Sequence, residues 1–409
     1  MPEAAQINAR DLNREPVIVA GAGPAGAVAA LGLAAAGAEV TLIAPPRAAD
    51  RRTTALMDGS VRALEGLGVW PRLKPRAAAL RVMRIVDGTR RLVRAPEVAF
   101  RAAEAGLEAF AWNVENTDLN AALDETLAET ASIRRIEARL EGMERGSAEL
   151  GVRLDDGTRL AAALLVAADG RDSRVRALAG IGSHSRSYPQ VAVTATLRHE
   201  RAHGDVSTEF HTETGPFTLV PLPDRRSSVV CVVSPAEGER LMALDDDAFS
   251  LAMEQRAGSI LGRMTLDGPR GRFPLGSRTA DLLAADRVAL VGEAAHVIPP
   301  IGAQGLNLGI RDAATLAELV ADARRAGRDI GGAEVMQAYE HRRRGDIAGR
   351  TLAVDLVNRS LLSDLVPIQG LRGLGLWLLG RVPALRLAAM RQGVGPTRDL
   401  PRLVAGLPL

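Results

Sequence analysis

PVIVAGAGPAGAVAALGLAAAGA, residues 16–38, is the stretch that decides the fold of this chain. Its first residues are β-branched and apolar, the glycine turn 21–26 follows, and an alanine- and leucine-rich segment leads on to EVTLIA. The pattern predicts a strand, a helix over 25–36 and a second strand, a βαβ unit of about 30 residues. Such a unit with a glycine-rich first turn is typical of a dinucleotide-binding fold.

Each glycine of the Gly21-Ala22-Gly23-Pro24-Ala25-Gly26 turn has a separate physical task. In a GxGxxG turn the first glycine permits the bend and the second lets the backbone approach a pyrophosphate. The third lets the helix and the strand pack closely. The phosphates would lie at the helix N-terminus, where free N–H groups and the helix dipole favour an anion. This motif alone does not separate NAD from FAD.

The same stretch is uncharged, and its length alone would also suit a transmembrane helix or a signal peptide. Its many glycines, its β-branched start and the strand-like run directly after it favour the βαβ unit instead. Residues 1–15 are polar and are expected to form a frayed leader.

The composition is that of a globular protein and excludes several function classes. Of the 409 residues 47% are apolar, 24% are charged and only 3% are aromatic, and the formal net charge is +2. Lys74 is the single lysine, and the arginines are interleaved with acids, which argues against a nucleic-acid interface. The single cysteine, Cys231, excludes an internal disulfide and a multi-cysteine zinc site. It lies in an apolar β-like run, so we expect a buried structural thiol and a reducing cytoplasm.

Two further strand ends carry candidate functional residues. In LLVAADGRDSRVRALAGI (164–181) an apolar strand ends at Asp169-Gly170, although Asp-Gly is also a common pair in ordinary β-turns. In VGEAAHVIPPIGAQGLNLG (291–309) a second apolar strand ends at Glu293. The glycine-rich turn after it, 302–305, predicts a helix that starts at Leu306-Asn307 and offers N–H donors, or else a loop that only needs flexible glycines.

One expected residue is missing. A dinucleotide-binding unit usually ends its second strand with an acid that holds the ribose hydroxyls. Here Ala44 occupies that place, and Glu39 lies at the opposite end of the strand. The ribose clamp is therefore absent, or it is supplied by another residue, for which Asp50 and Arg52 are the candidates.

The three signals in this order resemble the class A flavoprotein aromatic hydroxylases, the FAD monooxygenases of the p-hydroxybenzoate hydroxylase type. Five longer stretches sharpen the resemblance to the ubiquinone-biosynthesis hydroxylase branch, and together they span nearly the whole chain. These are DRRTTALMDGSVRALEGLGVW (50–70), WNVENTDLNAAL (112–123), GPFTLVPLPD (215–224), GAQGLNLGIRDAATLAE (302–318) and AMRQGVGP near the C-terminus.

The resemblance implies an α/β, Rossmann-like FAD-binding domain with an inserted antiparallel β-sheet substrate domain and C-terminal helices. Alternating polar and apolar residues over 184–275 independently predict antiparallel strands. Helices are predicted over 60–70 and over 117–130, the latter capped by Thr117 or Asp118. The expected boundaries are 1–75 with 100–183 and 277–350 for the FAD-binding domain, 76–99 with 184–276 for the sheet domain, and 351–409 for the helical region.

By resemblance, the cofactor-binding residues form five groups. Gly21, Gly23, Pro24, Ala25 and Gly26 would hold the FAD pyrophosphate, Arg52 the flavin side, Asp169 and Gly170 the pyrophosphate and ribityl region, and Gly292 with Glu293 the ribityl chain. Glu293 stands where the family usually has Asp. Gly302, Ala303, Gln304, Gly305, Leu306 and Asn307 would bring a helix N-terminus to the pyrimidine edge of the flavin, where donors stabilise the negative charge of the reduced ring.

The chemistry implied by the resemblance is carried by the cofactor. Reduced FAD takes up O2, and the resulting C4a-hydroperoxide delivers a hydroxyl to a phenol ring. NAD(P)H or another external donor would supply the electrons, because no second nucleotide-binding domain is evident. Pro300 and Gly302 would lie beside the flavin, Pro299 and Pro300 would stiffen that turn, and no catalytic side chain or metal is assigned. His296 is expected to pack or hydrogen-bond locally.

The favoured function is ring hydroxylation of a polyprenylated phenol in ubiquinone biosynthesis, in the cytoplasm and peripheral to the inner membrane. The Leu-rich C-terminal helices would then contact the membrane or other proteins of that pathway, although ordinary packing against the core explains them equally well. Two alternatives stay open at this point. One is a class A hydroxylase of a soluble aromatic, and the other is a non-catalytic subunit with a weakened flavin site, which Ala44 and Glu293 suggest.

Overall fold

The computed structural model describes residues 16–47, 50–89, 94–146, 149–300, 302–362, 366–394 and 399–409. The leader expected over 1–15 and the end of the AMRQGVGP stretch lie outside these residues. The strands are β1 Pro16–Ala20, β2 Glu39–Ile43, β3 Thr53–Met57, β4 Ala78–Leu80, β5 Val82–Asp87, β6 Val98–Arg101, β7 Ala111–Glu115, β8 Ile133–Ile136, β9 Leu140–Arg145, β10 Leu150–Leu154, β11 Arg159–Ala162, β12 Leu164–Ala167, β13 Ser183–His199, β14 Val206–Thr212, β15 Gly215–Leu222, β16 Arg226–Val233, β17 Met264–Leu266, β18 Gly271–Ala280, β19 Ala284–Ala285, β20 Val288–Leu290 and β21 His296–Val297. The α-helices are α1 Pro24–Ala35, α2 Asp58–Gly66, α3 Trp70–Leu73, α4 Asn116–Glu129, α5 Arg174–Leu178, α6 Pro235–Ala243, α7 Asp246–Arg256, α8 Gln304–Arg325, α9 Ala333–Leu362, α10 Val366–Arg381, α11 Pro383–Val394 and α12 Arg402–Ala405.

A six-stranded sheet in the order β19-β20-β12-β1-β2-β8 forms the centre of the larger unit. Strands β20, β12, β1, β2 and β8 run parallel, and short β19 pairs antiparallel at the edge. Strand β12 is buried at every position, which is typical of a parallel strand covered on both faces. The carboxyl ends of β1, β12 and β20 therefore lie side by side, and each leads into one of the three motifs.

Helix α1 packs against this sheet and against α8. It is only 12 residues long and its middle is buried, so residues 16–38 are a strand and a core helix, and the membrane-helix interpretation of that stretch is wrong. Small side chains bring the two helices together, because a Cβ on Gly32 would lie 3.1 Å from the Cβ of Ala317. Along the part of the chain that the structure describes, no single helix is long and apolar enough to cross a membrane.

The second unit is a large sheet in the order β21-β18-β13-β16-β15-β14-β5-β6, with β17 beside β13. Its pairs are antiparallel, as the alternating sequence predicts, except that β14 and β5 run parallel. One face packs with α6 and α7 into a second core that includes Phe217, Cys231 and Phe249. Cys231 is the predicted structural thiol, and burial raises the pKa of its thiol to about 11.

Two helix predictions need correction. The helix expected over 60–70 is divided into α2 and α3, with Gly68 in the left-handed region between them. Helix α4 begins at Asn116, and neither Thr117 nor Asp118 caps it, because both lie inside its first turn. The boundary expected at 350 falls inside α9, a continuous helix of 30 residues.

Candidate active site

The glycine loop between β1 and α1 is shaped by backbone contacts that only glycine permits. Gly21 has φ +108°, and a Cβ there would lie 2.2 Å from the carbonyl oxygen of Ala168. A Cβ on Gly26 would lie 2.0 Å from the carbonyl oxygen of Gly21. A Cβ on Gly23 would meet nothing within 4 Å, so this loop leaves open space at the N-terminus of α1. That cradle fits a pyrophosphate.

The Asp169-Gly170 turn follows β12 and contacts the glycine loop through Ala168. The carboxylate of Asp169 accepts hydrogen bonds from the backbone N–H groups of Arg174 at 2.8 Å and Val175 at 3.1 Å. One carboxylate oxygen of Asp169 thus holds the start of α5, and this local role was not part of the sequence prediction. Gly170 takes a left-handed conformation, with φ +90°.

Arg176, which the sequence analysis did not single out, joins the second and third motifs. Its guanidinium donates to the carbonyl oxygens of Ala294 at 2.8 Å and Arg171 at 3.0 Å, and the residue is buried. Because a buried guanidinium is stabilised when it donates to acceptors, this residue fixes the spacing between the Asp169 turn and the Glu293 turn.

Glu293 lies in a short 3-10 helix, Gly292–Ala294, directly after β20. Its side chain is 51% exposed and its carboxylate is 3.6 Å from Nε of Arg171. The turn packs tightly on α1 and α8, because a Cβ on Gly292 would lie 2.9 Å from the Cβ of Ala25 and the Gly309 backbone is also adjacent. Glu293 therefore projects from a rigid turn into open space beside the glycine loop.

Helix α8 begins at Gln304, two residues before the predicted start at Leu306. Gly302 and Ala303 both have left-handed backbones, with φ +68° and +53°, so the chain turns sharply into the helix. The side chain of Gln304 donates to the carbonyl oxygen of Gly302 at 3.0 Å. Gly305 has open space where a Cβ would be. The first turn of α8 thus presents backbone N–H groups at an exposed surface.

Asn307 requires a correction, because its side chain is buried and fully engaged with the protein. Its carbonyl oxygen accepts from Met57 N at 2.8 Å and from the Ser60 hydroxyl at 2.7 Å. Its amide donates to the carbonyl oxygens of Ala55 at 2.8 Å and Ala303 at 2.6 Å. The side chain of Asn307 therefore locks the start of α8 to the β3–α2 connection and has no group left for a cofactor.

Arg52 and Asp50 form a bidentate pair, with nitrogen–oxygen distances of 2.8 and 2.7 Å. Burial alone would raise the pKa of Asp50, but hydrogen bonds from Arg52 and Asn116 lower that pKa to about 2. The Arg52 guanidinium lies 5.5 Å from the centre of the Phe273 ring. Its pKa is raised mainly by the hydrogen bond with Asp50 and to a smaller extent by Glu293. Arg52 therefore lies near β18 and the Glu293 turn, and a ribose contact by either member of the pair stays a prediction.

Arg47 lies beyond the end of β2, where the sequence prediction found no substitute for the acid. Its guanidinium donates to the carbonyl oxygen of Ala22 in the glycine loop and to Asp124 at 3.0 Å. Ala44 itself is buried and its N–H donates to Ile136 at 3.1 Å. The signal in the sequence was a basic residue four positions beyond the end of β2.

A buried ionic cluster underlies the third motif. Asp312 of α8 accepts from Gly292 N at 3.0 Å, from Nε2 of His296 at 2.7 Å and from Nε of Arg343 at 2.7 Å. Asp312 is fully buried, which opposes ionisation, but His296 and Arg343 lower the pKa of its carboxyl to about 2. His296 thus bonds locally, as predicted, and Asp312 holds the Glu293 turn in place.

The ionic cluster continues along α9 to the first turn of α8. Asp346 accepts from Arg343 at 2.7 Å and from Arg350 at 2.9 Å, and Arg350 donates to the side-chain oxygen of Gln304 at 2.7 Å. Both ends of the third motif, the Glu293 turn and the start of α8, are therefore held by the same chain of charges.

The sheet of the second unit meets the FAD-binding unit through Ser228 of β16. Its hydroxyl bonds with the Thr53 hydroxyl at 2.8 Å and accepts from the Asn113 amide at 3.3 Å. The part of the sheet beside this contact includes Phe273, which lies next to Arg52, and the apolar TLVPL stretch of β15. Of the two motif prolines, Pro299 is buried and Pro300 is exposed.

The glycine cradle, the two adjacent strand-end motifs and the separate sheet that contacts them are the features of a flavin-dependent oxidoreductase. The family model described as an FAD binding domain matches residues 14–352. The solved structure of p-nitrophenol 4-monooxygenase PnpA from Pseudomonas putida has the same fold, with a TM-score of 0.77, 18% identity and 94% and 99% of the two chains covered.

Two curated relatives locate the chain within that class. The ubiquinone hydroxylase UbiL of Rhodospirillum rubrum is 33% identical over 404 residues, which cover 96% of this chain and 93% of the relative. The 3-demethoxyubiquinol 3-hydroxylase of Escherichia coli is 32% identical over 392 residues, which cover 93% and 98%. The chain belongs to the family of FAD-dependent hydroxylases that includes these enzymes of ubiquinone biosynthesis, and its cofactor is FAD.

Replacing Glu293 with Asp should preserve or tighten FAD binding. The shorter side chain loses its long contact with Arg171 but keeps a carboxylate on the same rigid turn, where the family usually has Asp. FAD affinity is measured by the quenching of flavin fluorescence on titration with the apoprotein. Loss of binding by a variant that keeps the wild-type circular dichroism spectrum would show that Glu293 is not a cofactor anchor.

Proposed function

We propose that this protein hydroxylates the aromatic ring of a polyprenylated phenol in ubiquinone biosynthesis, with FAD, O2 and an external electron donor. The observation that carries the proposal is the glycine cradle with its three converging motifs, in a chain that is 33% identical to a ubiquinone hydroxylase over nearly its full length. NAD(P)H is the expected electron donor. The absence of an evident second nucleotide-binding domain does not exclude it, because NAD(P)H can approach the FAD site transiently.

FAD supplies the electron transfer and the activation of O2, and the side chains bind and orient it. We assign Gly21, Gly23, Pro24, Ala25 and Gly26 to the pyrophosphate, because the N–H groups at the start of α1 face the open cradle. Asp169, Gly170, Gly292 and Glu293 would hold the ribityl region from two adjacent strand ends. Arg52, directly before β3, would contact the flavin side, with its guanidinium 5.5 Å from the ring centre of Phe273 on β18.

The start of α8 would stabilise negative charge on the reduced flavin. The backbone N–H groups from Gly302 to Leu306 lie in and after a sharp turn, and Arg350 fixes that turn through Gln304. Donors fixed in advance cost no reorganisation when the charge develops. The apolar cleft under β15 would exclude water, so that the activated oxygen reaches the ring and is not lost as hydrogen peroxide.

The C-terminal helices would serve the prenyl tail and a peripheral contact with the inner membrane from the cytoplasmic side. Leu374, Trp377 and Leu385 of α10 and α11 are about half exposed, at 52%, 45% and 47%. The segments Gly373–Arg381 and Pro383–Met390 are apolar together but are bent by 106°. Such a bent apolar surface suits the membrane interface, where a substrate with a long tail resides.

The test is oxygen uptake by the FAD-loaded protein with NADH or NADPH and a prenylated phenol, with mass spectrometry for a product heavier by one oxygen. A short-chain phenol of the same ring pattern is the matched control. We expect stoichiometric hydroxylation of the prenylated phenol and much slower turnover of the short one. Equal turnover of both would favour a soluble aromatic substrate, and failure to bind FAD would exclude an enzyme.

A further inference from the structure

A polar pair on β14 has no role in the chemistry described so far. Nε2 of His211 lies 3.0 Å from a carboxylate oxygen of Glu209, two residues earlier on the strand. The His211 side chain is 9% exposed and that of Glu209 is 24% exposed. An ionised carboxylate can only accept, so Nε2 of His211 is the donor in this hydrogen bond.

The other ring nitrogen of His211, Nδ1, makes no such hydrogen bond. Nδ1 is buried and has no hydrogen-bond partner among the residues that the structure describes. A buried polar atom without a partner is unfavourable, because nothing compensates for the water that it loses on folding. The nearest acid by strand register, Asp87, is used to hold Thr89 and Ala95 N. The protein alone therefore leaves a polar site open at this strand.

Both side chains lie on the face of the sheet opposite the second core. Phe210 pairs with Phe217 within the second core, and side chains alternate along a strand, so Glu209 lies on the opposite face. Its register partner there is Thr218, and Val230 follows on β16. Ser228, two residues before Val230 on the same face, makes the contacts with the FAD-binding unit.

We infer that Glu209 is the residue that binds the substrate's phenolic hydroxyl and accepts its proton, and that His211 is a positioning residue. This inference rests on the proposed function, whose FAD and O2 chemistry supplies the oxidant. As a ring carbon takes up the hydroxyl group, the phenolic O–H bond breaks, its electron pair enters the ring and the proton moves to Glu209. The ring C–H proton then passes to the oxygen atom of O2 that is not transferred, which ends as water. The ring becomes aromatic again, and Glu209 returns its proton to the phenol oxygen.

The pairing explains why the acid is held by a histidine. The Nε2–H of His211 fixes the direction of the carboxylate, and a hydrogen bond to an ionised acceptor is strong. The unpartnered Nδ1 gives the same site a second polar position for the substrate. A general base placed in this way contributes about 10²- to 10⁴-fold to the rate.

The first test compares a prenylated phenol with its methyl ether, which lacks the donated hydrogen. Binding to the FAD-loaded full-length protein is measured by the change in flavin absorption. Wild type should bind the phenol about tenfold or more tightly than the ether. Glu209→Gln should lower that ratio about tenfold and leave FAD affinity unchanged. An equal affinity of wild type for phenol and ether would overturn the inference.

The second test follows a single turnover, in which chemically reduced protein with bound phenol is mixed with O2. Hydroxylated product should form about 100-fold more slowly in Glu209→Gln. Glu239→Gln is the matched control, because Glu239 is 70% exposed on α6 and pairs only with Arg272 there. A Glu209→Gln rate within threefold of wild type would contradict the inference. A collapsed phenol-to-ether ratio with no product even from wild type would support Glu209 as the binding residue and reject the proposed hydroxylation.

His211 is tested by rescue. His211→Phe should lower the phenol-to-ether ratio about fivefold at unchanged FAD affinity, and His211→Gln, which keeps a donor to Glu209, should restore most of it. Equal ratios for the two variants would show that His211 has only a packing role.

Discussion

Gly26→Ala should abolish FAD binding. The added methyl group would lie 2.0 Å from the carbonyl oxygen of Gly21 and 2.9 Å from the Cβ of Ala168. The first of these neighbours is backbone that also shapes the cradle, so relief of the clash deforms the pyrophosphate site. We expect at least about a 100-fold loss of FAD affinity, and a loss of about 1–3 kcal/mol in the free energy of unfolding of the apoprotein. Flavin fluorescence titration and urea denaturation measure the two effects.

Two other glycines serve as controls for this prediction. Gly23→Ala should lose FAD binding while the apoprotein keeps its stability, because a Cβ there meets no protein atom but enters the open cradle. Gly345→Ala in α9 also meets nothing, and it should leave FAD binding unchanged. Wild-type FAD affinity in Gly26→Ala or in Gly23→Ala would refute the placement of the pyrophosphate at this loop.

Asp312→Asn should be the most destabilising of the conservative polar substitutions at the site. The change removes the negative charge between His296 and Arg343 and leaves the buried guanidinium of Arg343 with less compensation. Breaking a buried charge pair in this way costs about 3–5 kcal/mol. Urea denaturation of the apoprotein measures the loss, and the freed Glu293 turn should also weaken FAD binding.

The pH dependence follows from the same carboxylate. The pKa of Asp312 is lowered in the folded state, so its ionised carboxylate adds to the free energy of unfolding above the ordinary pKa of 3.8. This stabilisation is lost as the pH falls from 3.8 to about 2. Asp312→Asn should remove this part of the acid sensitivity. Glu334→Gln, at an exposed ion pair with Arg328, is the control and should change stability by less than about 1 kcal/mol. A similar small effect for Asp312→Asn would mean that the cluster does not hold the turn.

The local parts of the fold and site were predictable because their signals are local. A strand, a glycine turn and a helix adjoin one another in residues 16–38, and each motif follows its own strand. The prediction that His296 forms a structural hydrogen bond is confirmed, since its Nε2 contacts Asp312. The start of α8 was misplaced by two residues because Ala303, not a glycine, takes the left-handed position before the helix.

The residues that the sequence analysis missed act across long separations. Arg176 bonds with Ala294, and Asp312 bonds with Arg343 on another helix. The residue pattern within one segment therefore predicts neither contact. One sequence signal for Asp312 was available: it is an acid four residues from both Leu308 and Leu316, on the apolar side of α8. For Glu209 and His211 the available signal was two polar residues on one face of a strand.

The strand order of the central sheet also determines when, during synthesis, the parts of the FAD site can come together. The glycine loop is among the first segments made, but its shape depends on Ala168, and the turn that closes it depends on Gly292. At about 5–20 residues per second, some 15–60 seconds separate the first motif from the third. In the first part of that interval β1 has no β12 beside it and exposes an apolar strand, and β12 in turn has no β20 beside it until the third motif is made. FAD can be captured only after about seven-tenths of the chain has been made, so a shortage of the cofactor acts on a nearly finished polypeptide.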